Sequence, residues 1–278
     1  YEAPYELVNK MRASIYVLGP LLARLGIAKV SFPGGCAIGT RPVDLHLMAM
    51  EALGAHITVE HGYINAKADK LVGADIYFPK SSVGATINAL MAAVLAKGVT
   101  SLFNAAMEPE IDATIDFLNL MGAQISGKGT TTLVIEGVEK LHPTEMEMIP
   151  DRIEAGTFLI AGALSTNPVT VTNCNPNHLT LPLEKLRASG CELEVENCSI
   201  TVYPPEIIQP VDIITLPYPG FPTDLQAQFT VLMCLADGIS FIEDTIFPDR
   251  FAHVAELNRL QADIRVEQNI ARVKGVKK

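Results

Sequence analysis

Cys36 stands in the glycine-rich stretch Pro33-Gly34-Gly35-Cys36-Ala37-Ile38-Gly39-Thr40-Arg41, five residues from a guanidinium. A free cysteine is more often an inert buried hydrophobe than a reagent, but a neighbouring cation favours the thiolate, which is the reactive form. Arg12 opens an apolar helical run, an unexpected place for a cation. With Arg41 and Arg250 it is a candidate for holding anions, because a guanidinium grips phosphate or carboxylate through paired bonds that lysine cannot copy. Asp224 precedes another helical run. That placement more often marks an N-cap, a role for which Thr223 competes, and the alternative is a general base. Gly84 lies at a helix start flanked by hydroxyls, where free N–H groups suit a diphosphate, although such starts are common. Glu108 and Glu110 beside Pro109 read as first-turn carboxylates, Arg152 as an ion-pair partner of Glu154, and His46 as structural. The histidines show no metal spacing, and neither a metal nor an organic cofactor is expected.

The elements that must carry these residues recur. Leu53-Gly54-Ala55, Met121-Gly122-Ala123, Ser189-Gly190-Cys191 and Gln261-Ala262-Asp263 each close a helical pattern, with middle residues 68, 68 and 72 apart. Gly26, Gly98, Asn167 and Gly238 form a second series at spacings of 72, 69 and 71. Glycine and asparagine tolerate the left-handed conformation at a helix C-terminus, and a β-rich run follows each. The period of about 70 residues predicts four β-α-β-α-β-β units. In the second, Ala74–Phe78 reads as a strand, Val83–Ala96 as a helix, Thr100–Phe103 as a strand, Pro109–Leu120 as an amphipathic helix and Gln124–Ile135 as a hairpin. The other hairpins turn near His61-Gly62, Asn197-Cys198 and Gln268-Asn269. The first helix of each unit is apolar nearly all round and is expected to be buried, with sheets outward. The first unit is expected to lack its opening strand, since only three residues precede Pro4.

The length of 278 residues suits two domains. With 49% hydrophobic and 19% charged residues the composition is that of a globular protein, and no apolar run is long enough for a membrane span. The net charge of −10 argues against nucleic acid and anionic membranes as partners. Five cysteines, odd in number and without a C-x-x-C pair, argue against a disulfide framework and for the cytoplasm. The opening Tyr1-Glu2-Ala3-Pro4 has no signal-peptide pattern and reads as the middle of a domain.

The stretch from Pro33 to His46 closely resembles the reactive-cysteine loop of UDP-N-acetylglucosamine enolpyruvyl transferases (1-carboxyvinyltransferases). Lys10–Ser14, Ser82–Thr86, Glu108–Ile111, Pro150–Glu154, Phe221–Gln228 and Phe247–His253 continue the likeness in the same order. The resemblance implies an α/β fold: a two-domain inside-out α/β barrel of six β-α-β-α-β-β units, four of them in this chain, with the active site between the domains. Residues 1–147 would then hold two units of the first domain and residues 148–278 two units of the second. It implies transfer of the enolpyruvyl group of phosphoenolpyruvate to the 3′-hydroxyl of the nucleotide sugar, a step of peptidoglycan precursor synthesis, by a cytoplasmic monomer. Cys36 would be the proton donor and the residue that fosfomycin alkylates, and Asp224 the base. Arg12 and Arg41 would hold phosphate and Arg250 carboxylate. Arg41, Pro42, Val43, Asp44, Leu45, Lys80, Ser82, Val83, Gly84, Asp224 and Ile246 would contact the nucleotide sugar. The resemblance also implies that the first and last units, with the family's N-terminal Lys-Asn pair and its C-terminal arginines, lie outside this chain. The alternatives are a noncatalytic fragment or binding module of the same fold, and the sister transferase acting on shikimate 3-phosphate, which lacks the Pro-Gly-Gly-Cys loop.

Overall fold

A computed structural model describes residues 1–33 and 42–276, which divide into two compact units, residues 1–148 and 149–276. The first unit begins with β1 (Glu2–Ala3) and α1 (Tyr5–Val8), followed by a 3-10 segment, Arg12–Val17, that runs into α2 (Leu18–Leu25). Then come β2 (Ile27–Ser31), α3 (Asp44–Ala52), β3 (His56–Glu60) and β4 (Tyr63–Lys67). The second repeat holds β5 (Asp75–Tyr77), α4 (Val83–Ala93), β6 (Val99–Phe103), α5 (Pro109–Leu120), β7 (Gln124–Ser126) and β8 (Thr132–Glu136). Both sheets have one topology, β1-β2-β4-β3 and β5-β6-β8-β7, with the opening strand parallel to the second and the rest antiparallel.

Contrary to the expectation from the sequence, the first repeat has an opening strand. Glu2 and Ala3 pair with Lys29 and Val30, so two residues suffice to start the first sheet. It is the third repeat whose described residues make a shorter sheet. That repeat holds α6 (Arg152–Ala163), β9 (Val169–Thr172), α7 (Thr180–Ala188), β10 (Glu192–Val195) and β11 (Ser199–Tyr203), in strand order β10-β11-β9. The fourth restores the full pattern with β12 (Ile213–Thr215), a 3-10 turn Thr223–Leu225, α8 (Gln226–Met233), β13 (Ile239–Asp244), α9 (Ala252–Arg259), β14 (Asp263–Glu267) and β15 (Ile270–Lys274). Its order is β12-β13-β15-β14.

In each unit the first helices form the centre and the sheets the outside. The helix α4 buries Ala85, Ala89, Leu90, Ala92 and Ala93 among α2, α3 and α5. Small side chains allow that close approach: a Cβ added at Gly19 of α2 would meet Asn88 Oδ1 at 2.4 Å. The helix is shorter than its apolar run suggests, ending at Ala93. Nor is it apolar all round, since Thr86 and Asn88 are fully buried within it. The outward faces of the sheets retain exposed apolar side chains, among them Tyr77 stacked on Phe103 with ring centroids 4.4 Å apart.

The helix-closing landmark is one residue off in the fourth repeat. Gly54, Gly122 and Gly190 have φ of +93°, +97° and +97°. Each N–H bonds back into the helix, and so does that of the following residue, as in Gly54 N to Glu51 O and Ala55 N to Met50 O. In the fourth repeat those bonds come from Gln261, to Asn258 O, and Ala262, to Leu257 O, and Gln261 takes the positive φ of +74°. A side chain in that region is strained. Gln261→Gly is therefore expected to stabilise the protein by about 1 kcal/mol, seen as a higher denaturant midpoint at unchanged slope. A lower midpoint would show that the glutamine side chain contributes more than the strain costs.

Two helix ends are also tied to the hairpins that follow them. Asn119 accepts from Ile125 N (2.9 Å) and donates to Ile125 O (3.0 Å), and Asn258 does the same with Ile264 at 3.0 and 2.9 Å.

Candidate functional site

Several of the sequence candidates are linked within each compact unit. Cys36 and Arg41 lie outside the described residues.

In the first unit, α3 begins at Asp44 after Pro42 and Val43, and Asp44 is exposed where a first-turn carboxylate suits the helix dipole. Leu45 and Val43 point into the core. Arg12 starts its 3-10 segment rather than an α-helix, and its Nη2 donates to Pro42 O at 3.2 Å, tying that segment to the start of α3. Ser82 caps α4 by accepting from Ala85 N at 3.3 Å, so its hydroxyl is engaged by the backbone. Lys80 is exposed in the preceding turn. His46 joins the two helix starts: a Cβ added at Gly84 would meet its Nε2 at 3.0 Å.

His46 is held by a residue that reading the sequence missed. Asn88, fully buried on α4, donates to Ile15 O and faces His46 Nδ1, both at 3.1 Å, while its Oδ1 accepts from Gly19 N at 2.8 Å. Since the amide oxygen is committed to Gly19, the amide nitrogen is the donor to Nδ1, and the imidazole proton resides on Nε2. An asparagine amid an otherwise apolar helical run was the available sign.

Burial, reinforced by the Arg12 charge and opposed by Asp44, lowers the His46 pKa to about 4. His46 is thus neutral in the folded protein at neutral pH, and the unfolded chain takes up its proton first. The stability tied to this group is fully present above about pH 6.5 and is lost as pH falls towards 4, on the order of 3 kcal/mol over that window. His46→Gln is expected to flatten that stretch of the stability profile, read from denaturant midpoints at pH 7 and 4.5. An equal slope in both proteins would refute it.

In the second unit, the turn Thr223–Leu225 and the loop after β13 bring Asp224 and Arg250 together, and Ile246 lies in that loop. Arg250 Nη1 donates to Asp224 Oδ1 at 2.7 Å and to Thr223 Oγ at 3.1 Å, and its guanidinium carbon lies 5.9 Å from the Phe247 ring centre. Asp224 is therefore an ion-pair partner within a 3-10 turn, not a helix cap, and its side chain remains about half exposed at 52%. Thr223 is no cap either, because its hydroxyl donates to Asp244 Oδ2 at 2.7 Å.

Asp244 was not singled out from the sequence, and it organises this cluster. It is fully buried and ends β13. Its Oδ1 accepts from Thr215 Oγ (2.9 Å), Ile246 N (3.0 Å) and Phe247 N (2.8 Å). The strand alternation offered a sign, for Ser240, Ile242 and Asp244 share the buried face of β13.

The remaining candidates are Glu108, Glu110 and Arg152. Glu108 is the residue before α5 and Glu110 lies in its first turn. The Arg152 guanidinium stands over the Tyr218 ring at 5.6 Å. Among the described residues no group of three or more His, Cys, Asp or Glu is placed to hold a metal, and no helix is long and apolar enough to cross a membrane.

The family model described as EPSP synthase (3-phosphoshikimate 1-carboxyvinyltransferase) matches residues 1–278. The chain belongs to the EPSP synthase family. Within this family it is 56% identical over 278 residues to the UDP-N-acetylglucosamine 1-carboxyvinyltransferase of Desulfosudis oleivorans, covering 100% of this chain and 67% of that protein. It is 59% identical over 276 residues to the protein of the same name from Chlorobaculum parvum, covering 99% and 65%. The chain thus spans about two thirds of the length of the relatives it matches. Among solved structures, the enolpyruvyl transferase NikO from Streptomyces tendae superposes with a TM-score of 0.85 at 25% identity, over 99% of this chain and 66% of that one. The EPSP synthase of Acinetobacter baumannii gives 0.71 at 21% identity, over 96% and 64%, a likeness of fold alone. The family fold is the inside-out barrel that the resemblance implied, built of the β-α-β-α-β-β units expected from the repeats.

Proposed function

We propose that this chain is the central part of an enzyme that transfers the enolpyruvyl group of phosphoenolpyruvate to the 3′-hydroxyl of UDP-N-acetylglucosamine, with release of phosphate. The observation that carries this reading is the identity of 55–59% along essentially the whole chain to proteins of that name. In the reaction, the vinyl carbon of phosphoenolpyruvate gains a proton while the sugar hydroxyl loses one. The resulting tetrahedral ketal then expels phosphate and a methyl proton to regenerate the double bond. Cys36 supplies a proton, and Asp224 accepts the hydroxyl proton from its exposed edge of the second-unit cluster. Arg250, beside Asp224, binds the substrate carboxylate, and Arg12 and Arg41 bind its phosphate. Pro42, Val43, Asp44 and Leu45, with Arg41, and the Lys80, Ser82, Val83 and Gly84 segment at the start of α4 hold the nucleotide sugar, together with Ile246. Residues 1–147 and 148–278 are parts of the enzyme's two domains. The enzyme is a cytoplasmic monomer serving peptidoglycan precursor synthesis and thereby cell-wall growth and division.

Phosphate release tests the assignment, measured on this chain and on a chain extended to the relatives' length, with phosphoenolpyruvate and either UDP-N-acetylglucosamine or shikimate 3-phosphate. The expected result is release with the nucleotide sugar and fosfomycin labelling at Cys36 that the sugar promotes. Release with shikimate 3-phosphate alone would replace the assignment by its sister reaction. No release from the extended, folded chain would end it.

A further inference from the structure

We propose that Asp244 is a positioning residue for the reaction: through the Thr223 hydroxyl it sets the Arg250–Asp224 pair in place. The inference rests on the function proposed above for that pair. Four donors converge on this one buried carboxylate: two threonine hydroxyls and two backbone N–H groups. They come from separate parts of the fourth repeat. Thr215 ends β12, Thr223 begins the turn that carries Asp224, and Ile246 and Phe247 begin the loop that carries Arg250. An ionised carboxylate is acceptor-only and meets all four without turning a proton towards any of them.

The polarity of Thr223 follows. Its proton is committed to Asp244 Oδ2 at 2.7 Å, so a lone pair faces Arg250 Nη1 at 3.1 Å. That same nitrogen reaches Asp224 Oδ1 at 2.7 Å. Asp244 thus acts on the pair in two ways, by pinning the loop and by orienting the hydroxyl. Asn in its place has nearly the same shape but carries an NH2, which would donate to Thr223 Oγ and free the threonine proton to turn towards Arg250. Small misplacements of a binding group are costly in rate, and members of a buried network contribute non-additively.

The test uses the chain extended to the relatives' length, with D244N, T223V and the double variant assayed at temperatures where circular dichroism shows each folded. Each single variant is expected to lower kcat/KM for phosphoenolpyruvate about tenfold or more, mainly through KM, since Arg250 binds its carboxylate. The double variant is expected to lie within about threefold of the worse single one, because both cut the same relay. Kinetic constants within about twofold of the parent in D244N, or losses that multiply in the double variant, would overturn the proposal. If D244N does not fold, T223V decides, as it leaves the carboxylate and its backbone donors intact. An unmutated protein without turnover would instead sink the assigned reaction. The positioning would then be read from a crystal structure of T223V: an Arg250–Asp224 contact still at 2.7 Å overturns it, and a broken one upholds it.

Discussion

Arg250→Lys is expected to lower kcat/KM for enolpyruvyl transfer about 10²-fold, and Arg250→Ala about 10³-fold, with the fold unharmed. One guanidinium nitrogen reaches both Thr223 Oγ and Asp224 Oδ1, which leaves the flat face of the group over Phe247. A lysine ammonium places a point charge at the end of a flexible stem and cannot reproduce that planar arrangement. Two charge-assisted contacts to the substrate carboxylate at roughly 1.5–3 kcal/mol each bracket the loss, with about 1.4 kcal/mol for each factor of ten. Stability should change by less than about 1 kcal/mol, because half-exposed Asp224 can be hydrated when its partner goes. Steady-state kinetics beside a thermal melt separates the two quantities. Full activity in Arg250→Lys would remove this arginine from the substrate site.

Asn88→Ala is expected to be the most destabilising of these substitutions, at about 3 kcal/mol. The carboxamide serves three buried groups at once: Gly19 N, Ile15 O and His46 Nδ1. Ile15 O keeps its bond from Leu18 N, so the loss there is partial. Gly19 N sits against the amide so closely that no side-chain atom fits between them. An unsatisfied buried donor costs about 1–3 kcal/mol, and the weakened hold on His46 adds to it. At roughly 2–4 °C per kcal/mol for a domain of this size, the midpoint of thermal unfolding should fall by about 6–12 °C. A fall of less than 2 °C would mean that α2 reseats on α4 and satisfies its own N–H.

The repeat was legible because its period is written in glycines that the backbone requires. Gly54, Gly122 and Gly190 all take φ near +95°, a conformation in which other residues are strained. The same reasoning misplaced the fourth landmark, since Gln261 bears the strain itself and Ala262 only resembles the neighbours in the alignment of tripeptides. The opening strand was missed for a different reason: two residues carry no periodicity, and only pairing with Lys29 and Val30 reveals them as a strand. Within the candidate site, Arg12 stood out as a charge in unusual company, and Asp224 and Arg250 through the family-like stretches that hold them. Asn88 and Asp244 did not, because a buried polar residue declares itself through partners 69 and 29 positions away, Gly19 and Thr215. Strand alternation could have flagged Asp244 as inward-facing, but it could not have supplied the four donors waiting there.

The asparagine ties at Asn119 and Asn258 also bear on how far the four repeats are interchangeable. Each tie needs one donor and one acceptor on the same side chain, reaching both backbone groups of the residue six positions on. At the matching places of the first and third repeats, three residues before Gly54 and Gly190, stand Glu51 and Arg187. An ionised glutamate can only accept and an arginine can only donate. Neither can hold Ile57 or Leu193 from both sides, so among the described residues this two-sided tie joins helix to hairpin in alternate repeats. A single asparagine at position 51 or 187 would carry the tie across, which makes this corner a transferable joint rather than a property of any one repeat.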